Sequence, residues 1–144
     1  MIWERAPYRI TDDPEAVDLA VVHGFLAGSY WARGIPRETI ERSIAHSLPF
    51  SLFLGDRQVG FARAVTDRAT FAYIADVFVL EEHRSRGLGA WLVETMLGHP
   101  ELQGLRRWLL VTRDAHALYR RFGFTPVADP TMLLTRHEPE IYAR

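Results

Sequence analysis

Hydrophobic positions along the chain fall into short runs of two different periods. Residues 3–10 read as a first strand. Asp13-Pro14 reads as a helix start, with an acceptor side chain at the N-cap and Pro at the first helical position. Val17, Val21 and Phe25 then recur at spacing four, beside Leu26, and Gly28 ends the helix. Pro36 opens a second helix with Ile40 and Ile44 on one face. Residues 50–54 and 59–65, joined by Gly55-Asp56-Arg57-Gln58, predict a hairpin, and residues 70–80 a long strand. Residues 87–97 predict a helix with Leu88, Trp91, Leu92 and Met96 on one stripe, ended by Gly98 and Pro100. Residues 108–112 read as a buried strand. A helix from Asp114 or Ala115 to Phe122 follows, with Gly123 suited to the left-handed C′ position. Residues 124–127 and 132–135 complete the set as strands. The β-α-β unit of residues 70–112 is a crossover, so its two strands should be parallel, whereas the hairpins are antiparallel. This predicts an α/β fold of mixed α+β character: a mixed sheet with helices on both faces.

A chain of 144 residues, 48% hydrophobic and 24% charged, predicts one domain able to bury its own core. No apolar run reaches the roughly 18 residues of a membrane span. The first residues carry no apolar signal stretch, so a cytoplasmic location is expected. Cys is absent, which excludes disulfides, a thiol nucleophile and a Cys-based zinc site. The six His residues show no zinc spacing, and no metal is expected. A net charge of −1 gives no support to a nucleic-acid partner. All 17 basic residues are Arg and none is Lys. Genome composition explains this, as would an enzyme of activated acyl groups gaining from having no Lys to modify.

The informative stretch runs from Asp76 to Leu92. A strand ends, a short basic loop follows, and a helix begins among glycines. Backbone N–H groups at a helix start lack internal partners and sit at the positive end of the dipole, which makes them an anion site. Gly87 and Gly89 let the backbone approach a phosphate closely, and Arg84 and Arg86 add charge. Arg84-Ser85-Arg86-Gly87-Leu88-Gly89 fits [Q/R]-x-x-G-x-[G/A] and resembles the acyl-coenzyme A pyrophosphate loop of the GNAT superfamily of N-acetyltransferases. Residues 112–124, with A-x-x-x-Y from Ala115 to Tyr119 and the closing Gly123-Phe124, resemble that family's second cofactor segment.

The resemblance covers nearly the whole chain. It implies a six- or seven-stranded sheet whose central parallel pair splays to admit the pantetheine arm against Val77, Phe78 and Val79. It implies acetyl-CoA as co-substrate, with the pyrophosphate held by Arg84, Ser85, Arg86, Gly87, Leu88, Gly89 and Ala90, and with Thr112 near the pantetheine. Many members carry Asn where Thr112 stands, and some carry Gly where Ser85 stands, which Ser replaces without penalty only if φ there is negative. Tyr119 matches the residue that protonates the leaving thiolate in the family, the alternative being a ring packed on the last helix. Asp76, an acid within an apolar strand, either handles the acceptor ammonium or forms a buried ion pair with an Arg. Tyr73 stands three residues before it, where other members carry a Glu base. The two share a face only if a bulge intervenes, and such bulges are typical of the family. Tyr30, Trp31 and Arg33 would wall the acceptor pocket. The expected reaction is transfer from acetyl-CoA to a primary amine, small molecule or peptide, by direct attack in a ternary complex. The alternative is a non-catalytic acyl-CoA-binding sensor of the same fold. No membrane partner is expected, and dimers are common among members, so a homodimer is compatible.

Overall fold

The computed structural model describes residues 1–143. Its chain order begins with two strands, β1 (Ile2–Arg5) and β2 (Tyr8–Thr11), paired antiparallel with Arg5 opposite Tyr8. The single strand expected over residues 3–10 is therefore a hairpin. Pro7 has no N–H to give a ladder, and the chain reverses at Ala6-Pro7. The helix expected at Asp13 is also displaced. Asp13 caps only the short 3₁₀ turn Pro14–Ala16. Asp18 then caps α1 (Leu19–Leu26), its carboxylate accepting from the Ala20 and Val21 N–H groups. The buried face of α1 is consequently Val22 and Leu26 rather than the stripe led by Val17 and Val21. Gln58, expected to be a turn residue, is fully buried. Its amide accepts from the Asp18 N–H at 2.7 Å and donates to the Gly60 carbonyl, fixing the start of α1 to the sheet.

α2 (Arg37–Ala45) buries Ile40 and Ile44 as the spacing predicts. β3 (Leu48–Leu54) and β4 (Arg57–Thr66) form the expected hairpin, and β5 (Phe71–Val79) the long strand. α3 (Leu88–Leu97) buries the predicted stripe of Leu88, Trp91, Leu92 and Met96. The strand expected over residues 108–112 is shorter and shifted: β6 (Arg107–Leu109). α4 (His116–Arg120) precedes Gly123, whose φ of +88° is the left-handed value expected there.

The six strands lie in the order β1-β2-β3-β4-β5-β6, all antiparallel except the parallel pair β5·β6. Among the described residues, no strand follows Leu109. The two strands expected at 124–127 and 132–135 are absent because Pro126 and Pro130 withhold ladder donors, and Asp129 instead caps the 3₁₀ turn Pro130–Met132. Six is within the expected count, but the extra strand comes from the N-terminal hairpin.

Helices cover both faces, as predicted. On one, α3 packs with Ile10, Phe50, Leu52, Ala62 and Ile74. On the other, α1 and α2 enclose Phe61 and Phe78. No helix among the described residues is long and apolar enough to cross a membrane.

Candidate active site

The site begins with an irregularity in β5. Phe61 lies opposite Phe78, yet Arg63 lies opposite Ala75, so two residues of β5, Asp76 and Val77, face the single residue Ala62. Asp76 carries the bulge with φ of +58°, a left-handed conformation that Asp tolerates better than most residues. The bulge exchanges the strand's faces. Ile74 packs in the α3 cluster, whereas Phe78, four residues later, packs in the α1/α2 cluster. Tyr73 and Asp76 therefore share the α1/α2 face, the arrangement a bulge was required to give.

Below the bulge, β6 pairs with β5 only at Phe71, Ala72 and Tyr73. Above it, β5 runs on to Val79 with an open edge where a parallel neighbour would sit, because the chain diverges after Leu109. Alternation decides which groups face the gap. Leu80 donates its N–H to Val59 on β4, so the Val77 C=O and the backbone groups of Val79 turn to the open side and those of Phe78 do not. The Val79 carbonyl already accepts from Arg84 Nε at 2.9 Å. The Val77 C=O lies on that same edge.

A cleft of about 640 Å³ opens along this edge. Its floor is Val77, Phe78 and Val79. One end is formed by Arg84, Ser85, Gly87, Leu88, Gly89 and Ala90, and the far wall by Asp114, Ala115, Leu118 and Tyr119. Trp91 N–H to Gly87 C=O is the first hydrogen bond of α3, and no side chain caps this helix. The N–H groups of Leu88, Gly89 and Ala90 are left without intrahelical acceptors. A Cβ on Gly87 would meet nothing within 4 Å, and one on Gly89 only Leu118 at 4.0 Å. No other atom thus crowds the Cβ positions beside the bare N–H groups, which leaves an oxyanion access to them. Gly87, at φ +75°, also needs its conformational freedom. Ser85 has φ +65°, so the condition under which Ser replaces Gly without penalty is not met.

Tyr119 is 8% exposed and lines the cleft, its ring edge-on to Phe124. Burial, with a smaller contribution from Tyr30, pushes its hydroxyl up to about 12. Tyr119 is therefore fully protonated at neutral pH. Tyr30 spans the mouth: its hydroxyl accepts from the Arg113 N–H at 3.2 Å, and the Arg113 guanidinium lies 3.9 Å above its ring. Trp31 stands edge-on to Tyr30 and also lines the cleft.

Asp76 makes the buried ion pair that was one of its two readings. Its carboxylate accepts from Arg63 Nε at 2.9 Å and from Trp31 Nε1 at 3.0 Å, one bond to each oxygen. Burial first, then the Asp76 charge, raises the Tyr73 hydroxyl above its usual value against the opposing pull of Arg63. Neither Asp76 nor Tyr73 lines the cleft itself. Thr112 accepts from the Ala115 N–H and so shapes the loop before α4, while Arg33 is exposed and away from the walls. Arg86 turns from the cleft toward the Tyr8 hydroxyl. Phe25, Ser29, His83, Asp114, Ala115, Leu118 and Arg121 line the cleft without having been singled out from the sequence as site residues. Leu118 was within reach, since it lies inside the 112–124 segment, four residues after Asp114, which also lines the cleft. Phe25 was not, because only its stack on Phe78, 4.1 Å between centroids, brings it to the site.

The sequence model of the acetyltransferase (GNAT) family matches residues 12–124 of this chain. The chain belongs to the GNAT family of acetyltransferases. It resembles a candidate GNAT acetyltransferase from Xanthomonas campestris at 46% identity, covering 95% of this chain and 97% of that one, with a TM-score of 0.93. A candidate acetyltransferase from Gibberella zeae is 28% identical over 140 residues, 81% of this chain and 78% of the relative. A GNAT family acetyltransferase from Elizabethkingia anophelis, solved with acetyl-CoA bound, shares the fold at a TM-score of 0.65 and 13% identity, covering 84% of this chain and 78% of that one. Membership makes this GNAT protein a transferase by family, and the splayed β5·β6 pair is where its cleft lies.

Proposed function

We propose that this GNAT protein transfers an acetyl group from acetyl-CoA to a primary amine, by direct attack in a ternary complex. The observation that carries the reading is the continuity of one cleft. The unpartnered upper edge of β5, the glycine-rich start of α3 and Tyr119 all line it. Acetyl-CoA in a relative of the same fold supports the choice of co-substrate.

Each group has a role that its chemistry suits. The Leu88, Gly89 and Ala90 N–H groups hold the pyrophosphate on the helix dipole. The open edge of β5 at Val77 and Val79 offers backbone groups to the amides of the pantetheine arm, which aligns the thioester along β5. Acetyl-CoA, when bound, supplies a thioester whose carbonyl carbon an amine attacks while the sulfur leaves. Tyr119, kept protonated by burial, donates a hydrogen bond or proton to that sulfur. Phe25, Tyr30 and Trp31 wall the acceptor end with aromatic surface. Asp76 acts there by fixing the indole of Trp31, since its carboxylate is paired with Arg63 and Trp31 and does not line the cleft. The acceptor is a small-molecule or peptide amine in the cytoplasm.

The test is calorimetric titration of acetyl-CoA, followed by thiol release across a panel of amines. Gly89→Val fills the open space over the N–H groups and, because Gly89 has an ordinary helical φ, leaves the backbone unstrained. Wild type is expected to bind and Gly89→Val to lose binding while melting normally. Equal binding by both proteins would refute the cleft assignment. Binding without turnover on any amine would replace the enzyme with a sensor.

A further inference from the structure

We propose that His83 is a further binding residue of this cleft, presenting its Nε2–H to a pyrophosphate oxygen of the co-substrate. The inference rests on the acetyl-CoA reading above and extends it to a side chain outside the glycine loop. His83 ends the 3₁₀ turn Glu81–His83, one residue before Arg84, and its ring is 9% exposed and lines the cleft. Nδ1 lies 3.0 Å from the Tyr8 hydroxyl, the two rings edge-on at 5.9 Å. Arg86 Nη1 also reaches that hydroxyl, at 3.3 Å. Arg has only donors, so the Tyr8 oxygen accepts from Arg86. The remaining Tyr8 proton finds its partner at Nδ1. Every polar group of the triad is satisfied only if Nδ1 is the acceptor and Nε2 carries the hydrogen.

Nε2 meets no protein acceptor among the described residues. Nor is it sealed: the only buried side-chain polar atom without a partner among them is Ser51 Oγ. The imidazole lines the cleft with its tautomer fixed from behind and its Nε2–H neither sealed nor paired, which suits it to donate to an anion bound there. Arg86 enters this scheme through Tyr8, as a positioning residue, which explains why it turns from the cleft.

The test uses two amide isosteres in the full-length protein with coenzyme A as the probe. His83→Gln places an amide N–H near the Nε2 position, whereas His83→Asn places its amide near Nδ1 and leaves the cleft side bare. Calorimetry should show His83→Asn weakened roughly 10–100-fold, the range for losing a hydrogen bond to a charged group, and His83→Gln within about 3-fold of wild type. Equal affinities for wild type and His83→Asn, or equal losses in both variants, would overturn the proposal. Nitrogen NMR of wild type provides a reading that no variant can confound: the Nε2–H tautomer is expected, and an Nδ1–H tautomer overturns the scheme. A wild type that binds no coenzyme A would sink the parent reading instead, a distinguishable outcome.

Discussion

Replacing Asp76 by Asn separates a structural carboxylate from one that serves the acceptor. The two side chains are nearly isosteric, and Asn accepts a left-handed φ as readily as Asp, so the bulge itself is not perturbed. What is lost is the charge opposite Arg63. Both partners are largely buried, at 16% and 11% side-chain exposure, and their contact is 2.9 Å. Removing one member of a fully buried pair costs about 3–5 kcal/mol, because the other charge is left uncompensated. Here Asn retains one acceptor for Trp31 or Arg63, and some water reaches the pair, so about 2 kcal/mol is the reasoned loss. For a chain of this size each kcal/mol moves Tm by about 2–4 °C, giving a fall of about 4–8 °C. The assay is calorimetric melting of Asp76→Asn, Arg63→Met and the double variant. The double variant should be less destabilised than the two single losses combined, by about 1–2 kcal/mol, since no charge remains to be stranded. Coenzyme A affinity should be unchanged in all three. An unaltered Tm in Asp76→Asn, together with a raised KM for the amine, would rule out the structural ion pair and return Asp76 to the acceptor.

Ser85→Gly should stabilise the protein by about 0.5–1 kcal/mol in urea unfolding, because relief of the left-handed Ser exceeds the added unfolded-state entropy; a loss of stability would contradict this. The Tyr119 hydroxyl titrates near 10 when unfolded and about 12 when folded, so its contribution is present below pH 10 and lost as pH rises toward 12. Wild type should lose about 2–3 kcal/mol more stability than Tyr119→Phe between those values. The absence of Lys keeps that window free of ammonium titration, and superimposable pH–stability curves would contradict the assignment.

The glycine loop and the helix after it were legible because their requirement is local. A helix start with bare N–H groups, two glycines and an amphipathic stripe is written within eleven consecutive residues. Val77, Gly89 and Tyr119 reach one cleft because each lies at the end of an element whose type the pattern declares. The geometry of Asp76 was legible only as a choice, since its ion pair needs Arg63 from the neighbouring strand and Trp31 from the loop between two helices. His83 was hidden for the same reason: its partner Tyr8 lies 75 residues away in the chain. The failures in secondary structure have local causes that competed. Asp13 and Asp18 both make good N-caps, and only Gln58, forty residues on, selects the second. The terminal strands failed where apolar alternation was outweighed by proline and by an Asp cap on Pro130–Met132.

The proposed role of Tyr119 is to meet the charge developing on sulfur as acetyl is transferred. Steady-state thiol release from acetyl-CoA by wild type and Tyr119→Phe, with an amine that wild type turns over, tests it most directly. The variant keeps the ring and its contact with Phe124, so folding and ground-state binding should be preserved. The kcat of the variant should be lower by roughly 10²–10⁴-fold, with KM for acetyl-CoA near its original value. An undiminished kcat in Tyr119→Phe would contradict it.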